Sequence, residues 1–243
     1  MYRLLPLAAL LLLLSIAPTG TEVVTSMADC AEFFLQQTPP DIPGILEGGN
    51  ILNQNRYKPI CQTFNNIRRF VTLYDTENKI PVFSAYKYRE IQSTGRPKNE
   101  IWKIEPQLEN IPNKNMRASS KPSYNHQASK TDYTERYEKW YDRGHLFPCS
   151  YASSKDDKVS TYTLTNIVPQ AGTFNKGSWN RMEKCIKCVL DEYCTNSNGV
   201  IEGFLVTGAE PGTQKISDKV NIPSMLWSAF CCFSHNKDLG RAP

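Results

Sequence analysis

Histidine is scarce in this sequence: the 243 residues include only three, at positions 126, 145 and 235. Two of them, His126 and His235, lie in polar stretches that suggest no role for either. A second Cys-x-x-Cys motif to partner Cys185 and Cys188 is also missing, which argues against a four-cysteine zinc site. The chain has no internal repeat and no low-complexity tract, so a solenoid or an array of repeats is excluded.

Long apolar runs are absent except near the N-terminus, where residues 4–17 are apolar, follow Arg3 and precede small residues. A positive residue, a short apolar stretch and a small-residue zone are typical of a signal peptide. The run is short for a membrane span, and an uncleaved anchor is the alternative. We predict a signal peptide at residues 1–21, one domain over residues 22–243, and a secreted, extracellular protein without membrane contact after cleavage.

Charge of either sign is not strongly in excess. The formal net charge is +4, from 28 Lys and Arg against 24 Asp and Glu. Such a mildly basic chain is compatible with a polyanionic partner, but a soluble domain without any electrostatic target can carry the same charge. Hydrophobic and charged contents of 40% and 21% are ordinary for a globular protein.

The eight cysteines all lie beyond the predicted signal peptide. An even number of cysteines in a secreted chain favours disulfides, although their pairing stays open. Cys185 and Cys188 lie in a helical pattern, and we favour a disulfide there over a zinc or redox site. The neighbours Cys231 and Cys232 are expected to have separate partners, because a bridge between adjacent residues is strained.

The pattern of apolar residues predicts a mixture of strands and helices. Residues 23–38 are predicted to be helical up to the prolines at 39 and 40. The apolar residues within 176–193 have helical spacing. Residues 91–130 are predicted to form a long polar loop. The basic residues of this loop either border a phosphate groove or are simply exposed to solvent. Strands are predicted at residues 56–64, 70–74, 80–88, 162–168 and 200–207, and either a strand pair or one bent strand at residues 220–233. This order predicts an α+β fold around a largely antiparallel sheet.

The most informative stretch is residues 140–148, which contain Asp142-Arg143-Gly144-His145. Alone, His145 would be more typical of a structural or surface histidine, but the motif around it favours catalysis. Residues 165–170 and 175–183 add amide and carboxylate oxygens that suit a hard cation. A neutral imidazole base, oxygen ligands for Mg²⁺ and an arginine for phosphate charge are the parts of metal-assisted phosphodiester cleavage.

The spacing of these motifs resembles that of a known family. The order Asp142-Arg143-Gly144-His145, then Asn166-x-x-Pro169-Gln170, then Asn175-x-Gly177-x-Trp179 with Glu183, is similar to the DNA/RNA non-specific endonucleases with a ββα-metal (His-Me finger) active site. Residues 38–44 and 56–61 resemble a secreted subgroup of that family. The resemblance covers most of the predicted mature chain. It implies helices packed on the sheet and further structure after residues 227–232, so a truncated or alternative C-terminus is expected.

The resemblance also implies roles for individual residues. His145 would be the general base, Asn175 the direct ligand of Mg²⁺ (or Mn²⁺), and Arg143 a phosphate contact. Glu183 would belong to both the catalytic and the metal-binding set, by holding a water on the ion. A direct bond from Glu183 is not expected, because eight residues of helix rise about 12 Å, unless Asn175 lies just before the helix. Asn166 would be a supporting catalytic contact.

The sequence therefore predicts a secreted, Mg²⁺-dependent endonuclease that hydrolyses DNA and RNA, with Asp142 positioning the turn. Gln170 and Asn180 are expected to be structural. Some family members carry an extra arginine near residues 86–88, a place where this chain offers Lys87 or Arg89. The alternative is a secreted module that binds nucleic acid or protein on a catalytically inactive nuclease scaffold, since a fold does not guarantee activity.

Overall fold

The computed structural model describes residues 22–93, 95–133 and 140–234, so the predicted signal peptide lies outside the described residues. The strands in the described part of the chain are, in order, β1 (Leu46–Glu47), β2 (Asn50–Ile51), β3 (Tyr57–Phe64), β4 (Ile67–Asp75), β5 (Ile80–Arg89), β6 (Lys103–Ile104), β7 (Arg117–Ala118), β8 (Tyr141–His145), β9 (Ile167–Ala171), β10 (Glu202–Ile216) and β11 (Val220–Cys232).

Helices are few and mostly short. The α-helices are α1 (Lys155–Thr161) and α2 (Asn180–Tyr193), and α2 is preceded by an α-helical turn, Gly172–Phe174, and a π-helical turn, Asn175–Trp179. The 3₁₀-helices are Met27–Phe33, Leu35–Gln37, Pro106–Glu109, Lys130–Tyr133, Cys149–Tyr151 and Leu164–Asn166. Among the described residues, no helix combines the length and apolar character that crossing a bilayer requires.

A five-stranded sheet in the order β11-β10-β5-β4-β3 forms the centre, and every neighbouring pair is antiparallel. The predicted hairpin is confirmed as β4 and β5, which are rich in β-branched and aromatic residues that suit strands. Its turn is closed by Asp75, whose Oδ1 accepts hydrogen bonds from the backbone N–H groups of Glu77 and Asn78. The α+β fold with a largely antiparallel sheet is thereby confirmed.

Both faces of the sheet are covered. Helix α2 covers one face, where Leu190 packs in a cluster with Tyr88 and Leu205. A Cβ on Gly203 of β10 would lie 2.8 Å from a terminal methyl of Leu190, so a side chain here would displace that methyl. The N-terminal segment covers the other face, where Met27 packs in a cluster with Val71 of β4.

The helix predicted for residues 23–38 is wrong. The segment forms two short 3₁₀-helices, and Gln36 and Gln37 have positive φ angles of 51° and 59°, which a continuous helix does not allow. Val23 instead bridges Ile60 on the free edge of β3. The local pattern of residues 23–38 did not predict this path, because the pairing with β3 and the Cys30–Cys61 disulfide fix the chain here.

Two boundaries near the functional motifs also differ from the prediction. Helix α1 (Lys155–Thr161) lies where the sequence analysis predicted no helix, and it begins with a capping box formed by Ser154 and Asp157. The predicted strand 162–168 begins later, as β9 at Ile167, and runs through Pro169 to Ala171. Pro169 is tolerated because, within the described part of the chain, β9 pairs with β8 alone and the strand tolerates a missing N–H.

Disulfide formation is only partly as predicted. Two bridges form, Cys30–Cys61 and Cys194–Cys232, while Cys149, Cys185, Cys188 and Cys231 are unpaired. The bridge favoured for Cys185 and Cys188 is therefore absent, and both thiols are exposed on α2. The regular helix keeps these two side chains on its solvent side instead of closing a ring between them.

Candidate active site

The ribbon of β8 and β9 positions His145. The two strands pair along their length, with Asp142 opposite Gln170 and His145 opposite Ile167. Beyond β8 the chain is fixed by Asn166, which is fully buried. Its Oδ1 accepts from the backbone N–H of Phe147 at 3.0 Å, and its Nδ2 donates to the carbonyl of Phe147 at 3.1 Å. Asn166 therefore supports the segment that follows His145 and does not line the cleft described next.

A cleft of about 800 Å³ brings the predicted site residues together. His145 enters it from β8, Asn175 from the π-helical turn and Glu183 from α2. The remaining residues of the lining are Ile91, Ser93, Gly95, Arg96, Glu100, Trp102, Asp142, Arg143, Pro148, Cys149, Ser150, Lys158, Tyr162, Lys176, Asn180 and Lys187. Sequence reasoning did not select Arg96, Trp102 or Tyr162 for this site.

The imidazole of His145 packs against two aromatic rings, which also contact each other. Its ring centroid lies 5.5 Å from that of Trp102 and 5.0 Å from that of Tyr162. Its Nε2 is buried and has no hydrogen-bond partner among the described residues. Burial, with a smaller contribution from the positive charge of Arg96, lowers the pKa of His145 to about 3. The imidazole is therefore neutral at neutral pH, as a general base must be.

Asn175 is oriented by its neighbours. Its Nδ2 donates to Asp142 Oδ2 at 3.0 Å, while Lys176 Nζ donates to Asp142 Oδ1 at 2.8 Å. The amide nitrogen is thus committed, and the amide oxygen is the atom available as a ligand. Asn175 lies in the π-helical turn before α2, and Gly177 in this turn has non-helical backbone angles, so the chain between Asn175 and Glu183 is not a straight helix.

Glu183 is half-buried in the first turn of α2. Burial raises the pKa of Glu183 to about 7, and the Trp179 indole and the positive charge of Arg96 partly counteract that rise. The carboxyl group is poised between its neutral and charged forms near neutral pH. A cation in the cleft would favour the charged form.

Two arginines line the cleft. Arg143 Nη2 donates to the carbonyl of Tyr133 at 2.7 Å, and its guanidinium lies over the Trp102 ring at 5.6 Å. Arg96 comes from the long loop after β5, and its charge influences both His145 and Glu183.

The extra cation expected near residues 86–88 is placed differently by the structure. Lys87 Nζ lies 3.9 Å from Glu202 and over the Phe204 ring, and neither Lys87 nor Arg89 lines the cleft. Arg96 lies in it instead. No local pattern marked Arg96 in the sequence, because its position depends on the path of a loop.

The donor atoms in the cleft suit a hard cation. Asn175 and Glu183 offer an amide oxygen and a carboxylate, which are oxygen ligands of the kind that Mg²⁺ prefers. Within residues 22–93, 95–133 and 140–234 no cluster of three or more His, Cys, Asp and Glu side chains could hold a metal. Mg²⁺ keeps several waters and binds through one or two protein groups together with substrate phosphate, so a set of two ligands fits it.

Comparison with known proteins agrees with this geometry. Residues 48–242 match the family model described as DNA/RNA non-specific endonuclease. The Endonuclease domain-containing 1 protein of Homo sapiens is 31% identical over 220 residues, which are 87% of this chain and 40% of the human protein. A nuclease of Serratia marcescens is 35% identical over 89 residues, which are 35% of this chain and 32% of that protein. The chain thus spans about 40% of the length of the human relative.

A solved structure shares the fold. The structure of EndoG in complex with EndoGI, described as showing the mechanism of EndoG inhibition, matches with a TM-score of 0.52 and 17% sequence identity. The match covers 72% of this chain and 68% of that chain. The family match over residues 48–242, together with the ribbon that presents His145 beside Asn175 and Glu183, shows that this chain belongs to the DNA/RNA non-specific endonuclease family.

Proposed function

We propose that this chain is a metal-dependent endonuclease that hydrolyses phosphodiester bonds of DNA and RNA. The observation that carries the proposal is the meeting of His145, Asn175 and Glu183 in one cleft with Arg96 and Arg143. These side chains come from separate elements, and together they supply a base, oxygen ligands for a cation and positive charge for phosphate. The names of the relatives, an endonuclease domain protein and a nuclease, support the same activity.

His145 is the proposed general base. Its neutral imidazole accepts a proton from the water that attacks phosphorus. The rings of Trp102 and Tyr162 pack against the imidazole and hold it in place. Positioning of this kind lowers the entropic part of the barrier.

Asn175 and Glu183 are the proposed ligands of Mg²⁺, with Mn²⁺ as the alternative. Asp142 fixes the amide of Asn175 by accepting from its Nδ2, which leaves Oδ1 as the ligand atom. A bound Mg²⁺ would neutralise charge on the phosphate and stabilise the leaving oxygen. Glu183 keeps its negative charge more readily beside a cation, since an opposite charge lowers the pKa of a carboxyl.

Arg143 and Arg96 are the proposed phosphate contacts, since the planar guanidinium matches phosphate oxygens. Contacts to phosphate carry no sequence information, so cleavage with little sequence preference is expected. Secretion is also proposed, on the N-terminal pattern of the sequence and on the two disulfides, which persist in oxidising compartments.

The test is cleavage of plasmid DNA and of a structureless RNA by the purified protein, in Mg²⁺ and in EDTA. We expect cleavage in Mg²⁺, none in EDTA, and a loss of at least about 100-fold in His145→Ala, within the range for a general base. His126→Ala is the matched control, because His126 is exposed outside the cleft and should leave the rate unchanged.

Equal cleavage by His145→Ala and the wild type would contradict the mechanism. A folded wild-type protein that binds nucleic acid but never cleaves it would instead support the inactive-scaffold alternative.

A further inference from the structure

Two unpaired thiols lie on the solvent side of helix α2. Cys185 and Cys188 are both exposed, and neither forms a disulfide within the described residues. Each residue turns a helix by about 100°, so positions three apart share one side. This side points away from Leu190, which packs in the core. In a secreted chain, exposed thiols left over after the internal bridges have formed point to bonds between chains.

Two charged residues extend the thiol pair into a stripe along the helix. Arg181, Cys185, Cys188 and Glu192 follow one another at steps of four, three and four residues, and all four are exposed. Side chains at such steps form the line along which two paired helices touch. We call these four residues the contact stripe, and none of them lines the cleft.

The contact stripe is complementary to its own reverse. Arg181 and Glu192 are centred on the same point of the chain as Cys185 and Cys188. If a second copy of α2 lies antiparallel across a two-fold axis at this point, each Cys185 faces Cys188 of the second copy. The same axis places each Arg181 opposite Glu192 of the second copy. A parallel pairing would set identical charges against each other, so the charges identify the partner as a second copy in the antiparallel direction.

The charges along α2 also run against the helix dipole. Asp191 and Glu192 are exposed near its C-terminal end, and the last turn has no basic residue. This end of a helix carries partial negative charge, so carboxylates there are unfavourable. Lys187 donates to Asp191 at 2.6 Å, which offsets part of the charge. An antiparallel second copy brings Arg181 to the same turn, so an arrangement that is unfavourable in one helix becomes favourable in a pair.

We propose that α2 is the interface of a covalent homodimer, in which two antiparallel α2 helices are joined by two disulfides between Cys185 of each copy and Cys188 of the other. Two 14-residue helices cover little area beside that of a stable non-covalent interface, so the disulfides hold the dimer and the charged pairs set its direction. Glu183 lies about half a turn from the contact stripe, so both clefts stay open.

Each bridge forms by two thiol–disulfide exchanges with a low-molecular-weight disulfide such as oxidised glutathione. The thiolate of Cys185 attacks the oxidant, whose S–S bond breaks, and one thiol leaves. Cys188 of the second copy then attacks the mixed disulfide at the Cys185 sulfur and displaces the second thiol. For each bridge, two cysteines lose two electrons and two protons, and one disulfide oxidant gains them as two thiols. The oxidising compartment follows from the proposed secretion, whereas the cleavage reaction is not involved.

The experiment incubates the purified protein in a glutathione redox buffer, blocks thiols with N-ethylmaleimide, and separates monomer from dimer on a non-reducing gel. We expect a wild-type dimer that dithiothreitol returns to monomer. Cys185→Ser and Cys188→Ser should each lose the disulfide dimer completely, because either change removes one partner from both bridges. An equimolar mixture of the two variants should regain a dimer, since the remaining Cys188 of one copy faces the remaining Cys185 of the other.

Three further variants test the surface and the direction. Cys231→Ser is the matched control, because Cys231 is also exposed and unpaired but lies on β11, so this variant should form the dimer like the wild type. Arg181→Glu sets two carboxylates against each other and should slow dimer formation about tenfold at low salt. Adding Glu192→Arg to the same chain should restore the rate, because opposite charges again face each other.

Three results would overturn the proposal. One is a wild type that stays monomeric in the redox buffer, with or without a bridge between its own Cys185 and Cys188. Another is a dimer that persists in Cys185→Ser or Cys188→Ser alone, since this requires identical thiols to meet or another cysteine to pair. The third is a mixture of the two variants that forms no dimer. None of these readouts uses cleavage, so the dimer is decided separately from the proposed function.

Discussion

At the scale of single residues, two amides of the same ribbon show opposite environments. All the hydrogen-bonding groups of Asn166 are used, toward Phe147, Ser84 and Thr161, so this residue maintains structure. Gln170 has no partner among the described residues. The sequence analysis predicted a supporting catalytic contact for Asn166 and a structural role for Gln170. Both side chains end in the same amide group, so their environments cannot be told apart until the hydrogen-bond partners are known.

Asp142 is predicted to act through the metal ligand. Replacing Asp142 with alanine frees the amide of Asn175, so we expect the Mg²⁺ concentration needed for half-maximal cleavage to rise by about 10–100-fold, as for other partners of metal ligands. The measurement is a Mg²⁺ titration of the cleavage rate.

Asp156→Ala is a close control for Asp142→Ala. Asp156 also accepts from an asparagine amide, at 3.0 Å from Asn65, and also pairs with a cation, Arg69, but it lies outside the cleft. If half-maximal cleavage required the same Mg²⁺ concentration in Asp142→Ala as in Asp156→Ala, this result would contradict the role of Asp142.

Arg96 is predicted to stabilise negative charge at the phosphate. Its removal in Arg96→Ala should lower kcat/KM by about 100-fold, comparable with the loss of one donor to a transition-state oxyanion. Arg96→Lys should recover part of the loss, because it keeps the charge without the planar fork. Lys98→Ala removes an exposed cation of the same loop outside the cleft, and a loss as large as that of Arg96→Ala would point to a general charge effect.

At the scale of elements, those with a strong local pattern were predicted and those fixed by distant contacts were not. Strands β4 and β5 were expected because their apolar and β-branched residues suit a sheet that is buried on both faces. Helix α1 was missed because its stability comes from a capping box and from buried side chains rather than from an apolar stripe. The N-terminal segment was assigned to a helix although bonding to β3 overrides its local preference.

The bridge between the end of α2 and β11 is predicted to stabilise the fold. Cys194 and Cys232 are separated by 38 residues, and opening a loop of that size should lower the free energy of unfolding by about 2–4 kcal/mol. Urea denaturation of Cys232→Ser tests this. The adjacent Cys231→Ser removes an exposed, unpaired thiol and should unfold like the wild type, whereas equal losses in both variants would show that the bridge adds nothing.

At the scale of the whole molecule, a buried pair of carboxyl groups joins the N-terminal segment to the core. Glu22 is 1% exposed and Glu105 is not exposed at all. One oxygen of Glu22 accepts from the backbone N–H of Thr63, and the carboxyl groups of Glu22 and Glu105 hydrogen-bond to each other. Burial raises the pKa of both carboxyls, and the neighbouring Glu105 raises that of Glu22 further.

This pair predicts a stability that falls as pH rises. Above the ordinary carboxyl pKa of about 4.3 the unfolded chain releases protons that the folded chain retains. The free energy of unfolding therefore falls by about 1.4 kcal/mol per pH unit for each retained proton, until pH reaches the raised folded pKa.

The measurement is urea denaturation between pH 5 and 8, in about one-unit steps. Glu22→Gln should reduce the slope of the free energy of unfolding against pH by the contribution of about one proton, because an amide has no proton to release in this range. Glu192→Gln, at an exposed position of α2, should keep the wild-type slope. A wild-type stability that rises over this pH range would contradict the assignment.

The sequence by itself determined the α+β class, the central hairpin, and the placement of His145, Asn175 and Glu183 in one site. Strand patterns depend on neighbours a few residues away, and the motif spacing matched a family, so both can be read from a single chain. Only the tertiary structure decided that Arg96, Trp102 and Tyr162 line the cleft with His145, that four cysteines stay unpaired, and that the amide of Gln170 is buried without a hydrogen-bond partner among the described residues. These features depend on burial and on partners far apart in the sequence, and no local pattern of residues encodes them.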